Sequence, residues 1–320
     1  MKTCKIAAPA CSVGEAEKIL DAGADIVYFG IMTSEWTEKY GNADFISRRQ
    51  TEAAHISSQK DFPEIAALAQ KRNSEAMLVL NGRYSNAQLP YLYALINDWE
   101  EAGGHSIMIS DISLLLYING KKSRLKPHMS IMCGTFNNQT ISFFSRLGAS
   151  GIVLPRELSL NEIRQLISRN TENMEFEIIT MFQKCEFIDA FCNFYHAVNY
   201  QHCKSKYVIE DKIETIESFD PQYEGHGCQL PFSSQKGNIR HICHNDSDMP
   251  ACGACMISSL ITSGITRFKI AGRGYPVEQI VKAVKWIKYA IDNCHSTEMI
   301  KTNYQNVFGK KCNPSQCYYT

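Results

Sequence analysis

"CKIAAPACSVGEAEKILDAGADIVYFGI", residues 4–31, contains two short apolar runs separated by a stretch with helical spacing. The runs at 4–10 and 25–31 are almost continuously apolar, which is typical of strands buried on both faces in a parallel sheet. Between them, residues 13–24 place apolar side chains three and four positions apart, as on one face of a helix. This segment therefore predicts two parallel strands joined by a helix.

The same alternation of apolar runs and helical stretches recurs along the chain. Further strands are predicted at 76–82, 106–111, 128–134, 151–157, 174–181 and 267–273. Eight strand–helix repeats favour an α/β fold of the closed (β/α)8 TIM-like barrel type, in which functional residues collect at the C-terminal ends of the strands. A doubly wound open sheet is the alternative topology.

One long loop dominates the predicted domain organisation. Residues 182–266 lie between the seventh and eighth predicted strands, and a connection of this length inside a compact domain is normally functional. We predict a single barrel domain over 1–320, a cysteine-rich insertion over 182–266 and a C-terminal tail over 300–320.

Composition and charge narrow the class of protein. Hydrophobic residues make up 44% and charged residues 21%, which is ordinary for a globular chain. Lys plus Arg balance Asp plus Glu at 33 each, so nucleic acid is disfavoured as a partner, and the compact basic run at 121–126 is interpreted as a solvated turn. No apolar run approaches the roughly 18 residues of a membrane span, and the first residues do not resemble a secretory signal. We expect a cytoplasmic protein.

Cysteine is the most informative residue type. Seven of the 13 cysteines fall between residues 185 and 255. In a reducing compartment, clustered cysteines more often bind metal or carry out redox chemistry than form disulfides. Four thiolates can hold a structural zinc or an iron–sulfur cluster, although only Cys252 and Cys255 form the tight CxxC pair that zinc sites usually contain. The alternative is that these are inert thiols of the core.

Four segments carry a resemblance to a known family. They are "IAAPACSVGEAEKILDAGADIVYFG" at 6–30, "GASGIVLPRELSLNEI" at 148–163, "KCEFIDAFC" at 184–192 and "LITSGITRFKIAGRGYP" at 260–276. Together and in this order they resemble the peptidase U32 family, for which a barrel fold is expected. The family name reflects an early proteolytic assignment, whereas several members are iron–sulfur proteins that hydroxylate without oxygen in ubiquinone biosynthesis and on tRNA and ribosomal RNA. Some of the RNA-modifying members use prephenate as the source of the hydroxyl group.

The resemblance implies a 4Fe–4S cluster and a set of cysteines that hold it. Cys185 and Cys192 match the spacing of the family's first two ligands, Cys228 matches the glycine–cysteine context of the third, and Cys252 lies at the family's distance before Lys269. The alternates, which leave the choice of ligands open, are Cys255, Cys243 and Cys203.

Four charged residues are further candidates for the active site. Arg156 and Glu157 follow the sixth predicted strand, where an arginine can clamp a carboxylate or phosphate through two parallel hydrogen bonds. A structural Arg–Glu pair is the alternative interpretation. Lys269 and Arg273 bracket the eighth predicted strand, and Lys269 points either into the barrel or towards a helix.

The leading functional hypothesis is an iron–sulfur enzyme. It would hydroxylate, or otherwise modify by redox chemistry, a small, aromatic or peptide substrate without molecular oxygen, with prephenate as a possible hydroxyl donor. A hydrolase is the second hypothesis, although neither GxSxG nor HExxH occurs in the sequence. The third is a non-catalytic iron–sulfur subunit that forms a heterodimer with a related U32 protein.

Overall fold

The computed structural model describes residues 4–41, 46–49, 52–170, 172–182, 188–192, 251–309, 311–312 and 317–319, together with the backbone of four short strands between 206 and 241. Among these residues, no helix combines the length and the apolar character that crossing a membrane requires.

In chain order the strands are β1 (Lys5–Pro9), β2 (Ile26–Ile31), β3 (His55–Ile56), β4 (Glu75–Leu80), β5 (Ser106–Ile109), β6 (Lys126–Met129), β7 (Gly151–Val153), β8 (Glu175–Met181), β9 (Lys206–Ile209), β10 (Lys212–Thr215), β11 (Pro231–Ser233), β12 (Ile239–His241) and β13 (Arg267–Ile270). The helices are α1 (Val13–Asp21), α2 (Ser34–Tyr40), α3 (Phe62–Lys71), α4 (Leu89–Glu101), α5 (Ile112–Gly120), α6 (Asn138–Arg146), α7 (Leu160–Ser168), α8 (Ile257–Thr262), α9 (Val277–Asp292) and α10 (Thr297–Phe308).

Eight of these strands close into a parallel barrel. Their order around the wall is β1, β2, β4, β5, β6, β7, β8 and β13. β1 pairs in parallel with both β2 and β13, so the sheet closes on itself. The predicted (β/α)8 TIM-like barrel is therefore confirmed, and the open doubly wound sheet is wrong. β3 is a short addition that pairs with the C-terminal end of β2.

Two apolar layers explain why the strands are apolar on both faces. The outer layer lies between the strands and the helices and contains the fully buried Trp36, Trp99 and Trp286. The inner layer fills the barrel with side chains that alternate along the strands with those of the outer layer: Ala7, Ile26, Tyr28, Met77, Val79, Met108 and Val153. Burial on both sides is what the continuous apolar runs predict.

Some predicted boundaries differ from the observed ones. The strand predicted at 128–134 ends at Met129, because the Ser130 side chain accepts a hydrogen bond from Met132 N and begins a helical turn at Ile131–Cys133. The sequence pattern did not predict α2 or α10. Helix α10 occupies the first part of the predicted tail over 300–320.

The segment between β8 and β13 returns to the barrel before it ends. β9 pairs with β10 and β11 with β12, as two antiparallel hairpins. Cys252 then forms an antiparallel bridge with Met181, the last residue of β8, and a parallel bridge with Cys317 near the end of the chain. Two segments that are distant in sequence, one at Cys252 and one at Cys317, therefore lie side by side next to the end of β8.

Candidate functional site

The barrel mouth, meaning the C-terminal ends of the barrel strands and the loops that follow them, is rich in arginine. Five arginines follow four different strands: Arg48, Arg49, Arg83, Arg156 and Arg273. The sequence predicted two of them, Arg156 and Arg273. The "SRR" stretch at 47–49 carried a signal for Arg48 and Arg49, because it lies in the long connection between β2 and α3, and the βα connections form the active end of this fold.

Arg49 and Arg273 are buried cations to which the described part of the chain supplies no carboxylate partner. They are 8% and 6% exposed. Arg273 donates from Nη1 to Ser47 Oγ over 2.9 Å, but no carboxylate among the described residues forms an ion pair with either arginine. Burial lowers the pKa of Arg273 to about 10, and the charge of Arg49 contributes to the lowering. Both groups remain charged at neutral pH, so this part of the mouth is suited to an anion.

Arg273 can occupy this place only because residue 30 is a glycine. A Cβ at Gly30 would lie 2.1 Å from Arg273 Nη1 and 2.7 Å from His55 Nδ1. His55 Nε2 donates to the Arg49 carbonyl over 2.8 Å. Burial, followed by the charge of Arg273, lowers the pKa of His55 to about 3, so this imidazole is neutral at physiological pH. Gly30 and His55 therefore position the two arginines.

Arg156 holds the turn that carries Cys192. Its guanidinium donates to Asp189 from Nε over 2.7 Å and from Nη2 over 2.5 Å, in the two-pronged geometry that arginine and carboxylate favour. Asp189 is buried and belongs to a short helical turn at Asp189–Phe191. The carboxylate that Arg156 binds is therefore Asp189, a residue that the sequence did not single out.

Two more arginines fasten the same turn. Arg83 Nη2 donates to the Ala190 carbonyl over 2.7 Å, and Arg48 Nη2 donates to the Cys192 carbonyl over 3.0 Å. Because the three contacts come from loops after different strands, they fix the turn across the mouth. Cys192, predicted as a cluster ligand, is half-buried at the end of this turn.

Glu157 lies beside this arrangement. It is an exposed residue of the loop after β7. Partial desolvation of its carboxyl raises the pKa of Glu157, and the negative charge of Asp189 adds to the increase. A carboxyl whose pKa is raised is a better proton donor near neutral pH than an ordinary glutamate.

Lys269 points into the barrel, which selects one of its two predicted orientations. Its ammonium lies 2.8 Å from Glu177 Oε1 and 4.1 Å from the centre of the Tyr28 ring. Burial alone would raise the pKa of Glu177, but Lys269, followed by His128 and Arg267, outweighs it and the pKa is lowered. Lys269 is therefore a buried, paired cation in the floor beneath the mouth.

The structure describes part of the predicted cluster-ligand set. Cys192, Cys252 and the alternate Cys255 are described, whereas the following lie outside the described residues: Cys185, Cys203, Cys228 and Cys243. Cys192 lies at the mouth, where a thiolate ligand of a cluster is expected. The backbone of Cys252 lies beside the end of β8, and its Sγ accepts hydrogen bonds from Trp286 Nε1 of α9 over 3.5 Å and from Ala254 N over 3.3 Å.

The predicted ligand set stays a prediction, because Cys185 and Cys228 lie outside the described residues. Burial, followed by the neighbouring Cys255 and Cys312, raises the pKa of Cys252 to about 12. Within the described part of the chain, no three Cys, His, Asp or Glu side chains stand so that they could hold a metal ion. Cys192 lies on the arginine-held turn, and Cys252 lies beside the end of β8 with its sulfur towards α9.

Comparison with protein families and curated proteins gives related chains. The model of peptidase family U32 matches residues 12–318. The 23S rRNA 5-hydroxycytidine C2501 synthase of Escherichia coli (strain K12) is 24% identical over 279 residues, which cover 84% of this chain and 36% of the synthase. The tRNA hydroxylation protein P2 of Bacillus subtilis (strain 168) is 26% identical over 237 residues, 74% of each chain. A collagenase of Porphyromonas gingivalis (strain ATCC BAA-308 / W83) is 22% identical over 313 residues, 92% of this chain and 67% of the collagenase.

The relatives differ in length and in the activity that their names give. This chain spans only about a third of the E. coli synthase, 36% of its length. Among solved structures, the U32 peptidase Mk0906 superposes with a TM-score of 0.50 at 11% identity, covering 86% of this chain and 95% of that one. At this identity the likeness concerns the fold alone.

Proposed function

The chain belongs to peptidase family U32, and from this membership we propose that it hydroxylates an aromatic ring without molecular oxygen, using an anionic donor bound at the barrel mouth. The observation that carries the proposal is the pair of buried arginines, Arg49 and Arg273, with which no carboxylate of the described residues forms an ion pair. A desolvated cation without a counter-charge is unfavourable, and an anion that binds between two such groups relieves that cost in both. Guanidinium groups also match the planar shape of a carboxylate.

A carboxylate is the class of donor group that this arrangement fits. Prephenate, which the family resemblance suggests as a hydroxyl donor, carries two carboxylates. Arg49 and Arg273 supply two cationic forks, and Gly30 leaves the space in which Arg273 lies. The role proposed for these residues is to bind and orient the donor, while the neutral His55 keeps them in place through its bond to the Arg49 carbonyl.

The acceptor proposed is an aromatic ring. Phe191 is 72% exposed on the arginine-held turn, and an exposed aromatic side chain offers a face on which a ring can stack. Relatives named for hydroxylation of tRNA and of 23S rRNA make a nucleobase the first acceptor to test. A small aromatic acceptor is the alternative, because the even balance of charges does not favour binding to an RNA backbone. The compact basic run at 121–126 does not change this, since Lys121 forms an ion pair with Glu100 over 2.6 Å.

Donor binding is tested with conservative arginine variants. The full chain is purified anaerobically and titrated with prephenate by calorimetry. Arg49→Lys and Arg273→Lys keep the charge but lose the fork, and each is expected to weaken binding about tenfold or more, or about 1.4 kcal/mol. The control is Arg164→Lys on the exposed face of α7. Equal binding by all four proteins rejects the proposed donor site.

The acceptor is tested in cells. Nucleosides from total tRNA and rRNA of a strain lacking the gene are compared by mass spectrometry with those of the parent strain and of strains complemented with either lysine variant. Loss of one hydroxylated nucleoside, restored by the parent gene alone, supports a nucleobase acceptor. Unchanged nucleosides together with prephenate binding support a small acceptor.

We also propose that the turn ending at Cys192 belongs to an iron–sulfur site. Cys185, Cys228 and Cys252 would be its further ligands, as the family resemblance implies, with Cys255, Cys243 and Cys203 as the alternates. Such a cluster supplies electron transfer. Cys192→Ser is expected to lower bound iron and sulfide after anaerobic reconstitution, whereas Cys133→Ser, another half-buried cysteine that follows β6, is expected to retain both. Equal iron in the two variants contradicts the role of Cys192.

The peptidase activity in the family name receives no support from two of the described thiols that follow barrel strands, Cys11 and Cys133. Burial, followed by the charge of Glu15, raises the pKa of Cys11 to about 11, and burial raises that of Cys133 to about 12. Neither is an activated nucleophile at neutral pH. The predicted heterodimer with a related U32 protein stays a prediction, which co-purification with such proteins of the same cell would test.

A further inference from the structure

The solvent side of α5 carries no charged residue. Its sequence from 112 to 120, "ISLLLYING", contains neither acidic nor basic side chains. A helix on the outside of a barrel ordinarily buries one apolar stripe and presents charged groups to water, as α9 does with lysines between its buried positions. On α5 the outward side instead presents Ile112, which is 42% exposed, and Leu116 one turn later, which is 53% exposed. The composition of α5 therefore suits a helix that is covered on both sides.

The apolar surface continues onto α6, where Phe143 is 41% exposed. Asn119 Nδ2 of α5 donates to the Leu147 carbonyl at the end of α6 over 2.5 Å, which fixes the level of one helix against the other. Both helices follow parallel strands and run in the same direction. Leu116 and Phe143, one turn earlier on each helix, therefore lie side by side at the same level.

Two tyrosines continue the surface onto α4. The Tyr117 ring of α5 stacks on the Tyr93 ring of α4, with 3.9 Å between the ring centres. Both side chains are half-buried. The residues on the three helices form the apolar patch, meaning Tyr93, Ile112, Leu116, Tyr117 and Phe143. Apolar surface that extends over neighbouring elements is typical of a site where another protein binds.

The area across the three helices is sufficient for a dimer. Neighbouring helices lie about 10 Å apart and α4 extends for about 20 Å, so the outward side of α4, α5 and α6 covers about 600 Å² in outline. A specific interface takes about 800 Å² of accessible surface from each partner. The accessible surface of a face covered with side chains exceeds its outline, so the apolar patch and its polar surround reach this class.

The two ends of α5 carry opposite charges, and no ion pair among the described residues uses either of them. Asp111 lies at the N-terminal end, where its side chain accepts a hydrogen bond from Ser113 N over 2.8 Å. Lys122 is exposed just after the C-terminal end. The adjacent Lys121, by contrast, is paired with Glu100 over 2.6 Å. An uncharged helix thus has a negative group at one end and a positive group at the other.

We propose that the apolar patch binds a second copy of this chain across a two-fold axis, with α5 antiparallel to α5 of the copy. Two-fold dimers are the commonest assemblies of identical chains, and they bring one surface onto itself. The antiparallel arrangement places Asp111 of each copy beside Lys122 of the other, whereas a parallel arrangement would oppose like charges. The inference does not rest on the proposed function.

Leu116 lies at the two-fold axis in this arrangement. It is close to halfway between Asp111 and Lys122 along α5, so pairing of the two ends brings Leu116 against Leu116 of the copy. Leu116 is also the more exposed of the two outward apolar side chains of α5. Because α5 follows the C-terminal end of β5, it begins at the mouth. The two mouths therefore open at opposite ends of the dimer, and each donor site stays accessible.

Sedimentation velocity tests the dimer. The full chain, kept reduced so that disulfides cannot join copies, is measured over a wide range of concentration. A monomer–dimer equilibrium is expected, and Leu116→Asp is expected to raise the dissociation constant about tenfold or more, because the dimer would bury the new carboxylate. The matched control is Met299→Asp on α10, where Met299 is 43% exposed and lies outside the apolar patch. A wild type that stays monomeric, or a Leu116→Asp variant that dimerises like the wild type, overturns the proposal.

Charge variants test the orientation. Lys122→Glu opposes two acidic groups at each end of the paired helices, and it is expected to weaken the dimer at low salt. Asp111→Asn, added to Lys122→Glu, removes this opposition and keeps a side chain that caps α5, so it is expected to restore part of the affinity. A Lys122→Glu variant that dimerises like the wild type overturns the antiparallel arrangement.

A chemical link tests the contact without any variant. Carbodiimide joins a carboxylate to an amine that touches it, and Asp111 and Lys122 of one chain are about 16 Å apart along α5, too far for such a link. In a mixture of unlabelled and heavy-nitrogen-labelled chains, linked Asp111–Lys122 peptides with one light and one heavy member are expected. A dimer without this link overturns the arrangement. A chain that is monomeric alone but binds a related U32 protein through Leu116 assigns the apolar patch to that protein and overturns the second copy.

Discussion

The two ends of the barrel hold buried charge in opposite ways. At the N-terminal end Arg267 contacts Glu75 at 3.1 Å and Glu175 at 2.5 Å. In the layer above, Lys269 contacts Glu177 at 2.8 Å. Each of these cations has a carboxylate within ion-pair distance, so the charges are part of the folded structure itself.

At the mouth, the corresponding counter-charges are missing among the described residues. Arg156 uses Asp189 to hold a turn, but Arg49 and Arg273 are buried and form no ion pair with a carboxylate that the structure describes. The difference teaches that the charges of the floor are balanced within the fold, whereas Arg49 and Arg273 at the mouth suit the external anion that we propose. Variants that neutralise one charge at each end should therefore have unequal effects on stability and on binding.

The largest expected effect comes from breaking the pair in the floor. Glu177→Gln leaves the Lys269 ammonium buried without its counter-charge, and we expect the free energy of unfolding to fall by about 3–5 kcal/mol. Urea denaturation followed by circular dichroism measures this. The exposed Glu101, on α4, provides the control: Glu101→Gln is expected to leave the unfolding midpoint unchanged. Equal midpoints for the two variants contradict the importance of the pair.

The same pair predicts an acid limit of stability. The pKa of Glu177 is lowered in the folded state from its ordinary value of 4.5, so its contribution is fully present above that value. It is lost as the pH falls through the lowered folded pKa, where the carboxylate takes up a proton. Thermal melts between neutral and acidic pH should show a steeper acid loss for the wild type than for Glu177→Gln. Parallel curves would remove Glu177 as the source.

An intermediate effect is expected where a glycine makes room for the mouth. Gly30→Ala places a methyl group 2.1 Å from Arg273 Nη1, and we expect a loss of about 1–3 kcal/mol together with weaker prephenate binding. Gly120→Ala, at the end of α5, is the matched control, because no atom lies within 4 Å of its Cβ. Denaturation and calorimetry measure the two effects. If Gly30→Ala behaves like Gly120→Ala, the close approach is not required.

The barrel could be predicted from the sequence because its main signal is local. Each strand is an apolar run buried on both faces, and each helix shows its own periodicity, so the repeat is visible without any tertiary contact. Short elements escape this signal. The strand β3 has two residues, and α2 is polar apart from the buried Trp36, so neither yields a period.

The site was less predictable because its meaning lies in pairings between distant residues. The position of Arg156 after a strand was visible, but its partner Asp189 lies 33 residues later. Arg49 is a candidate for anion binding because its side chain is buried, and a polar stretch of sequence does not predict that burial. Likewise, the distance of Cys252 from Lys269 matched a family pattern, whereas its neighbours Cys312 and Cys317 come from the chain end.

The smallest effect on stability is expected from removing a charge at the mouth. Arg273→Met keeps a long apolar side chain beside Gly30 and removes an unpaired buried cation, so the lost hydrogen bond to Ser47 is offset by the avoided desolvation. We expect the free energy of unfolding to change by no more than about 1 kcal/mol, while prephenate binding is lost. Urea denaturation and calorimetry on the same preparation give both quantities. A loss of stability as large as that of Glu177→Gln would mean that Arg273 is paired in the folded protein, and the contrast between the two ends of the barrel would disappear.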